Sequence, residues 1–419
     1  MESSSGEKRC NGPYRPDIII HGGAGGISRK NLPPSLYYQY HESLTRYLKE
    51  SKALLDAGAS ALDAACHAVS LLEDDPLFNC GRGSVFTRDG TNEMEASVMV
   101  VAADPHGAAA AGSIKRGAAA SLLRETRHPI LLAKEILLSP DSEGGLGGTS
   151  TMHCHLSGAA VEKWGFEHRG LERKPAAWFW TERRWNEHRR GLEKENEGSM
   201  LLEDVSTLPS QGTVGAVCLD ANGNLAAATS TGGLTNKLAG RIGDTPTLGA
   251  GFWAEAWTDG SYGPGRGSTV PWSIPQDILS RLAAVCVPLT VSNMYMKLPQ
   301  GHARERPAQG RRAVAMSGTG NGDSFLRTNA VRTVAAICRL SGASLETALS
   351  QVAGPGGELE QSAGNRWGRT GEGEGGIIGI EVDGFVAKAV FEFNCGGLWR
   401  AWYLDGRPKV MAFREDYEA

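Results

Sequence analysis

The sequence changes character abruptly at Gly212. Residues 182–211 are rich in charged side chains, which predicts a mobile surface segment that is helical in part. Thr213–Leu219 is apolar, Asp220–Gly223 is typical of a tight turn, and Asn224–Ser230 is again apolar. This pattern predicts a β-hairpin. A threonine therefore begins a strand directly after a glycine that closes a polar segment.

That junction indicates a specific chemistry. A threonine hydroxyl inside a chain is a poor nucleophile because it has no adjacent base. If the bond between Gly212 and Thr213 breaks, Thr213 acquires an α-amine. The pKa of such an amine, about 7.7–8.0, lets it accept the hydroxyl proton at neutral pH. One residue then supplies both nucleophile and base. An ordinary threonine at a strand start is the alternative interpretation at this point.

Two later motifs could bind a charged substrate. Arg241 and Asp244 lie three residues apart in a loop flanked by glycines. An arginine can hold a carboxylate through two hydrogen bonds, and an aspartate can hold an ammonium group, so the pair suits an α-amino acid. Ser317–Asp323 offers hydroxyls and backbone N–H groups that suit an oxyanion. A surface ion pair and a plain glycine-rich turn are the alternatives.

Three other motifs lack the neighbouring residues or elements that their usual function requires. The glycine run after His21 is similar to the oxyanion loop of esterases, but the chain has no G-x-S-x-G elbow. Gly371–Gly376 matches G-x-G-x-x-G, yet it precedes a predicted strand instead of following one. His153 and His155 could share a metal, but no second pair of ligands accompanies them.

The rest of the chain predicts a layered α/β protein with largely antiparallel sheets. Gly58 and Ser60 predict a break between two helices within residues 39–73. Residues 258–312 change composition again and predict an insertion. The other predicted elements are strands at Asp17–Ile20, Glu95–Ala103, Ala108–Ile114 and Ala313–Met316, helices at Pro129–Leu138 and Asn329–Leu340, and a hairpin of Gly375–Val382 with Phe385–Phe391.

Composition excludes several classes of protein. The 419 residues carry a formal charge of −4, and 41% are hydrophobic, which is typical of a globular chain and not of a general nucleic-acid binder. The longest apolar runs are too short to cross a membrane. Residues 1–16 are polar, which predicts a disordered N-terminus without a secretory signal. The eight cysteines are scattered, which predicts reduced thiols and a cytoplasmic location.

Seven motifs, in this order, resemble the plant-type L-asparaginase/isoaspartyl peptidase family of N-terminal-nucleophile hydrolases. They are His21–Gly26, Leu72–Ser84, Met94–Val98, Gly212–Val217, Thr229–Gly233, Gly240–Pro246 and Gly318–Asp323. The resemblance implies an α/β (α+β) fold, a four-layer αββα sandwich. It also implies one domain over 17–412, cut by the chain itself into an α chain of 1–212 and a β chain of 213–419, and a homodimer of αβ units.

The resemblance also implies the roles of individual residues. Thr213, freed from Gly212, would attack the side-chain carbonyl of L-asparagine or a β-aspartyl dipeptide, a small-molecule substrate. Thr231 would hydrogen-bond this nucleophile, and Asn79 would lie near it. The remaining matches are Arg241 for the substrate α-carboxylate, Asp244 for its α-amine, Thr319 and Gly320 for the oxyanion, and Gly322 for substrate binding. No cofactor and no metal held by side chains is expected, but the loop around Leu72, Phe78 and Asn79 matches one that binds structural sodium through backbone carbonyls.

Departures from the family pattern leave alternatives open. Glu95–Val101 stands where the family often has Asp-Ala-Ser-Ile-Met-Asp-Gly, which predicts an altered loop near the active site or the dimer contact. Gly318–Asp323 is closer to the glycosylasparaginase branch. Threonine aspartase-like proteolysis is a weaker alternative, because that branch lacks an acid at the position of Asp244. A third alternative is an unprocessed, non-catalytic binding scaffold, in which the insertion at about 258–312 blocks cleavage.

Overall fold

A computed structural model describes residues 12–102, 116–139, 153–196, 212–258 and 310–417. Contacts group the chain up to Trp257 and from Arg311 onward into one compact unit, to which the following description applies. The predicted strand Ala108–Ile114, most of the N-terminal 1–16 segment and nearly all of the predicted insertion lie outside the described residues. The domain boundaries therefore stay predictions.

The larger sheet has eight strands in the order β12-β11-β1-β5-β6-β2-β3-β4. Its neighbouring strands run antiparallel apart from the parallel pair β3–β4. The strands are β1 (Asp17–Gly25), β2 (Met94–Ala102), β3 (Arg116–Leu123), β4 (His155–Ser157), β5 (Val214–Leu219), β6 (Asn224–Thr231), β11 (Gly397–Leu404) and β12 (Arg407–Met411).

The smaller sheet has four strands in the order β10-β9-β8-β7. They are β7 (Phe252–Thr258), β8 (Arg311–Gly320), β9 (Gly375–Asp383) and β10 (Val386–Phe393). The helices of the described residues are α1 (Pro34–Asp56), α2 (Ala61–Asp74), α3 (Pro129–Leu138), α4 (Ala159–Arg169), α5 (Ala176–Phe179), α6 (Glu182–Asn196), α7 (Gly322–Thr328), α8 (Ala330–Ser341), α9 (Leu345–Ala353) and α10 (Glu358–Ala363).

Three apolar clusters separate four layers. One lies between the larger sheet and helices α1–α3, the second between the two sheets, and the third between the smaller sheet and helices α7–α10. Strand β1 illustrates the sorting, because Ile18 and Ile20 join the first cluster while Ile19 joins the second. A strand buried on both faces must read as a continuous apolar run. The predicted αββα sandwich is confirmed.

Most predicted elements are present. Two helices separated near Gly58 are confirmed, and the Ser60 hydroxyl caps the second by accepting a hydrogen bond from the backbone N–H of Asp63. Strand β1, however, continues through the glycines to Gly25 instead of ending at Ile20. A register shift between His21 and Gly23 lets this glycine segment stay paired with β11.

Residues 182–196 form α6, which confirms the expected helix in this segment. The expectation of a surface segment is wrong for Arg184 and Glu187, which are buried and paired with each other. The Arg184 side chain also donates to the carbonyl of Gly83. Some of the charged side chains in this segment therefore form buried ion pairs with each other, which a count of charges does not reveal. Residues 197–211 lie outside the described part of the chain.

Candidate active site

Thr213 lies at the end of a row that crosses three strands. Val214 pairs with Ser230, so the next positions, Thr213 and Thr231, are neighbours at the same end of β5 and β6. Thr231 in turn pairs with Glu95 on β2. Directly opposed residues on adjacent strands have Cβ atoms about 4.5–5.5 Å apart. The register of β5 and β6, continued by one residue, thus places Thr213 beside Thr231.

Gly212 packs directly on the glycine segment of β1. A Cβ at Gly212 would stand 2.4 Å from the Cα of Gly23 and 2.5 Å from the backbone nitrogen of Ala24. Gly23 itself has φ +116°, a left-handed value that favours glycine. The two segments can approach this closely only because neither Gly212 nor Gly23 has a side chain. The carbonyl group of Gly212, which belongs to the bond before Thr213, lies in this contact.

The Thr213 hydroxyl has a neighbour that sequence reasoning missed. Its Oγ1 lies 3.4 Å from the Oγ1 of Thr245. The Oγ1 of Thr231 accepts a hydrogen bond from the backbone N–H of Gly233 at 3.0 Å. A hydrogen bond from Thr231 to the nucleophile therefore stays a prediction. The position of Thr245 directly after Asp244 is the signal that could have pointed to it.

Arg241 and Asp244 converge on the backbone of Gly322. A Cβ at Gly322 would stand 2.5 Å from Asp244 Oδ1 and 3.0 Å from Arg241 Nη2. The same guanidinium lies 3.3 Å from the carboxylate of Asp323. The arrangement brings a cation and an anion side by side at a glycine, as the binding of an α-amino acid requires.

The Asp244 carboxyl is poised to bind a cation. It is buried, and its Oδ2 has no hydrogen-bond partner among the residues that the structure describes. Burial raises the pKa of Asp244 to about 7; Arg241 opposes this rise, whereas Glu95 and Asp323 add to it. A buried carboxyl with an unused oxygen gains free energy from an incoming ammonium group, which would restore its ionised form.

Thr319 and Gly320 lie where the glycine segment of β1 meets the end of β8. The Thr319 hydroxyl accepts a hydrogen bond from the backbone N–H of Ala24 at 3.1 Å. Its own proton stays available for an acceptor such as an oxyanion. Gly320 has φ +150°, and a Cβ there would stand 2.4 Å from the carbonyl oxygen of Glu374. Position 320 therefore requires glycine.

A buried hydrogen-bonded chain supports the same region from between the sheets. His21 Nε2 and Ser317 Oγ are 2.8 Å apart, and Ser317 Oγ is 2.8 Å from Thr229 Oγ1. A Cβ at Gly215 would stand 2.1 Å from the Ser317 hydroxyl, so the glycine makes room for this contact. Burial lowers the pKa of His21 to about 3, which keeps the ring neutral at physiological pH.

Asn79 fixes the turn that follows Thr231. Its Nδ2 donates to the carbonyl of Gly233, its Oδ1 accepts from the N–H of Val85, and its backbone carbonyl accepts from the N–H of Gly232. These three hydrogen bonds place Asn79 against the backbone of the segment that directly follows Thr231.

The loop around Leu72, Phe78 and Asn79 fits a hard cation in one respect. A Cβ at Gly81 or Gly83 would stand 2.1 Å from the carbonyl oxygen of Glu73 or Phe78, respectively. Backbone carbonyls thus point into a tight loop, and oxygen is the ligand that hard cations take. Among the described residues no group of three His, Cys, Asp or Glu side chains is placed to hold a metal ion. Sodium stays a prediction.

Glu95 lies in a strand, not in an altered loop. It is fully buried in β2, and its carboxylate accepts a hydrogen bond from the backbone N–H of Gly243. The expectation of a changed loop at Glu95–Val101 is therefore wrong. Because strand side chains alternate between faces, Glu95 and Val101 lie on the side of β2 that faces the smaller sheet.

An open cleft of about 920 Å³ lies outside this set of residues, with Phe86, Trp180 and Trp185 among its lining residues. Its glutamates are already engaged, because Glu93 pairs with Arg124 and Glu162 accepts three backbone N–H groups. None of the predicted catalytic or substrate-binding residues lines it. The predicted substrate-binding chemistry therefore lies with Arg241, Asp244 and Gly322 and not in this cleft.

Comparisons with known proteins agree with this geometry. The family model described as asparaginase matches residues 14–270. This chain belongs to the asparaginase family. The isoaspartyl peptidase of Escherichia coli (strain K12) is 33% identical over 404 residues, which are 95% of this chain and 96% of the relative.

Further family relatives come from eukaryotes. The putative isoaspartyl peptidase/L-asparaginase of Dictyostelium discoideum is 30% identical over 92% of this chain and 93% of its own. The isoaspartyl peptidase/L-asparaginase of Homo sapiens is 35% identical over 57% of this chain and 68% of its own. The resemblance to the plant-type asparaginase family is confirmed. No described helix has the length and apolar character needed to cross a membrane.

Proposed function

We propose that this chain is an N-terminal-threonine amidohydrolase that cleaves itself before Thr213. It then hydrolyses L-asparagine to L-aspartate and ammonia, and hydrolyses β-aspartyl dipeptides. The observation that carries the proposal is the placement of Thr213 beside the loop in which Arg241 and Asp244 converge on Gly322. Membership of the asparaginase family and the names of the relatives support it.

Maturation begins at the contact between Gly212 and Gly23. The Thr213 hydroxyl attacks the carbonyl carbon of Gly212, which forms an ester and breaks the peptide C–N bond. The α-amine of Thr213 is thereby released, and water then hydrolyses the ester. The close packing of Gly212 on β1 supports this step, because it restricts the scissile carbonyl to a narrow range of positions.

Turnover uses the new amine as the base. It takes the proton from the Thr213 hydroxyl while the oxygen attacks the side-chain carbonyl of the substrate. The oxyanion is stabilised by the Thr319 hydroxyl and the N–H of Gly320. Ammonia or an amino acid leaves with the proton, and water hydrolyses the remaining β-aspartyl ester. Arg241 binds the α-carboxylate, and Asp244 binds the α-ammonium group.

The wider setting is also part of the proposal. Two αβ units form a homodimer in the cytoplasm, and sodium occupies the carbonyl-lined loop around Phe78. The family resemblance supports the dimer and the sodium, and the scattered cysteines support the location. Size-exclusion chromatography with light scattering tests the dimer, and thermal unfolding in sodium against a bulky organic cation tests the ion.

The Arg241→Ala variant tests the substrate grip. We expect normal cleavage at residue 212, because Arg241 does not contact the scissile bond. We also expect at least about a hundredfold rise in KM for L-asparagine, since a charge-assisted bidentate contact contributes about 3 kcal/mol or more. Arg327→Ala, which removes a half-exposed arginine paired with Glu372, is the matched control. An unchanged KM in Arg241→Ala would refute the role of Arg241.

A further inference from the structure

Three side chains at alternate positions, Glu93 just before β2 and Glu95 and Ser97 within it, bind the backbone of residues 240–245, here named the substrate loop. This loop carries both Arg241 and Asp244. The contacts are Glu93 Oε2 accepting from Gly240 N–H at 2.7 Å, Glu95 Oε1 accepting from Gly243 N–H at 3.0 Å, and Ser97 Oγ donating to the Thr245 carbonyl at 2.6 Å. The two-residue period of a strand lets one face hold the loop at three points.

Glu95 is the central one of the three. It is fully buried, and it pairs across the sheet with Thr231 in the row that contains Thr213. Its second oxygen, Oε2, has no hydrogen-bond partner among the described residues. A buried carboxylate with a spare oxygen is costly to keep and calls for a compensating role.

The spare oxygen of Glu95 faces the guanidinium of Arg241. A Cβ at Gly243 would stand 2.8 Å from Arg241 Nη1 and 3.2 Å from Glu95 Oε2. Both atoms lie close to the same point beside Gly243, so they are at most about 6 Å apart. At this range unlike charges attract strongly when buried. Burial raises the pKa of Glu95, whereas the positive charges of Lys237 and Arg241 and the hydrogen bond from Gly243 lower it in part.

The geometry points to Glu95 as a positioning residue that sets the distance between Arg241 and Asp244, the two side chains that bind the substrate. We infer that it fixes the backbone at Gly243 and draws Arg241 toward the pocket, so that Arg241 and Asp244 meet a carboxylate and an ammonium borne on one carbon atom. This inference rests on the proposed function. Because Arg241 and Asp244 belong to the same loop, a small shift of the backbone at Gly243 weakens the contacts of both side chains with the substrate.

Two substitutions of Glu95 separate its hydrogen bond from its charge. Glu95→Gln keeps an acceptor for Gly243 and loses the charge; Glu95→Asp keeps the charge and shortens the reach. We expect KM for L-asparagine to rise about fivefold in Glu95→Gln, a loss equal to one neutral hydrogen bond. We expect it to rise about thirtyfold in Glu95→Asp, a loss equal to one charge-assisted hydrogen bond. In both variants kcat stays within about threefold, because Glu95 contacts no reacting atom.

Glu381→Gln is the matched control. Glu381 is also a buried glutamate that accepts a backbone hydrogen bond, from Leu345 at 3.0 Å, and pairs with an arginine, Arg312, but it lies in the smaller sheet away from the substrate loop. A general cost of altering such a carboxylate appears in all three variants as a lower Tm. A positioning role raises KM only in the Glu95 variants.

The measurements are cleavage at residue 212 by intact mass, steady-state kinetics with L-asparagine, and calorimetric affinity for L-aspartate. L-aspartate binding tests the contacts of Arg241 and Asp244 without a catalytic step. The inference is supported by full cleavage with weaker L-aspartate binding in both Glu95 variants and unchanged binding in Glu381→Gln. It is overturned by wild-type affinity in the cleaved Glu95 variants, or by a fall in kcat with KM unchanged. If the wild-type protein neither binds L-aspartate nor turns over L-asparagine, the proposed function itself fails.

Discussion

Single residues decide whether the scissile bond can reach a reactive geometry. The approach of Gly212 to Gly23 and Ala24 leaves no room for a methyl group. We therefore expect Gly212→Ala to slow cleavage before Thr213 by at least about tenfold, because displacing a reacting carbonyl by even 1 Å is costly. The rate can be followed by gel electrophoresis of freshly purified protein.

The control for this variant is Gly354→Ala. A Cβ at Gly354 would stand 2.5 Å from the carbonyl oxygen of Ser350, so the steric conflict is similar but lies at the end of α9. We expect this variant to lose stability and still cleave at the normal rate. Equal cleavage rates in wild type and Gly212→Ala would show that the packing on β1 does not guide maturation.

Asp244 makes the affinity for substrate depend on pH. Because burial raises its pKa to about 7, the empty site carries a protonated carboxyl at lower pH. An ammonium group binds the ionised form, so L-aspartate affinity of the cleaved protein should fall as the pH drops from 8 to 5. Calorimetry across this range measures it, and Asp244→Asn should bind weakly at every pH. A flat profile in the wild type would contradict the assignment.

The same carboxyl affects stability with the opposite sign. Its folded pKa lies above its ordinary value of 3.8, so the unfolded chain loses this proton at lower pH than the folded chain does. The contribution of Asp244 to the free energy of unfolding therefore falls as pH rises from about 4 to about 7. Substrate binding at Asp244 offsets a destabilising ionisation.

At the scale of elements, the hydroxyl of Ser317 ties β8 of the smaller sheet to β1 and β6 of the larger one. It contacts His21 and Thr229, both buried. We expect Ser317→Ala to lower the free energy of unfolding by about 1–3 kcal/mol, since it leaves a buried imidazole nitrogen without its partner. Chemical denaturation measures this loss.

Ser341→Ala is the comparison for Ser317→Ala. Its hydroxyl donates to the carbonyl of Ile337 at the exposed end of α8, so its removal should cost little. If both variants lose the same stability, the contact between the sheets does not contribute as a buried network.

The elements also show how far sequence reasoning reaches. Pro129–Leu138 matches α3 residue for residue, because proline begins the helix and the segment is apolar apart from Lys134 and Glu135. The Asp220–Gly223 turn and the hairpin around it are equally well marked. Local signals of this kind predict elements well, and ordered motifs predict the family and the αββα layers.

Contacts between distant elements are what the sequence leaves out. The contact of Thr213 with Thr245 and the three contacts of Glu93, Glu95 and Ser97 with the substrate loop join residues that are 32 to 148 positions apart. Glu95 was noticed only as a departure from a family pattern. Its role depends on a strand register that no local pattern specifies.

At the scale of the whole molecule, the layers place the cleavage junction and the substrate loop at the same end of two facing sheets. β5 brings Thr213 to this end, β6 and β2 hold the row beside it, and β8 adds Thr319. Both maturation and turnover therefore use one assembled site. A chain that folds correctly should mature without any other protein.

The measurement that tests this account most directly is the intact mass of the purified chain after incubation at neutral pH. The account predicts that the 44.5 kDa chain is replaced by two fragments, residues 1–212 and 213–419, and that Thr213→Ala stays intact. A single uncut chain in the wild type after days, folded by circular dichroism, would contradict the central claim and favour a binding scaffold. Cleavage of Thr213→Ala at the same bond would contradict it as well.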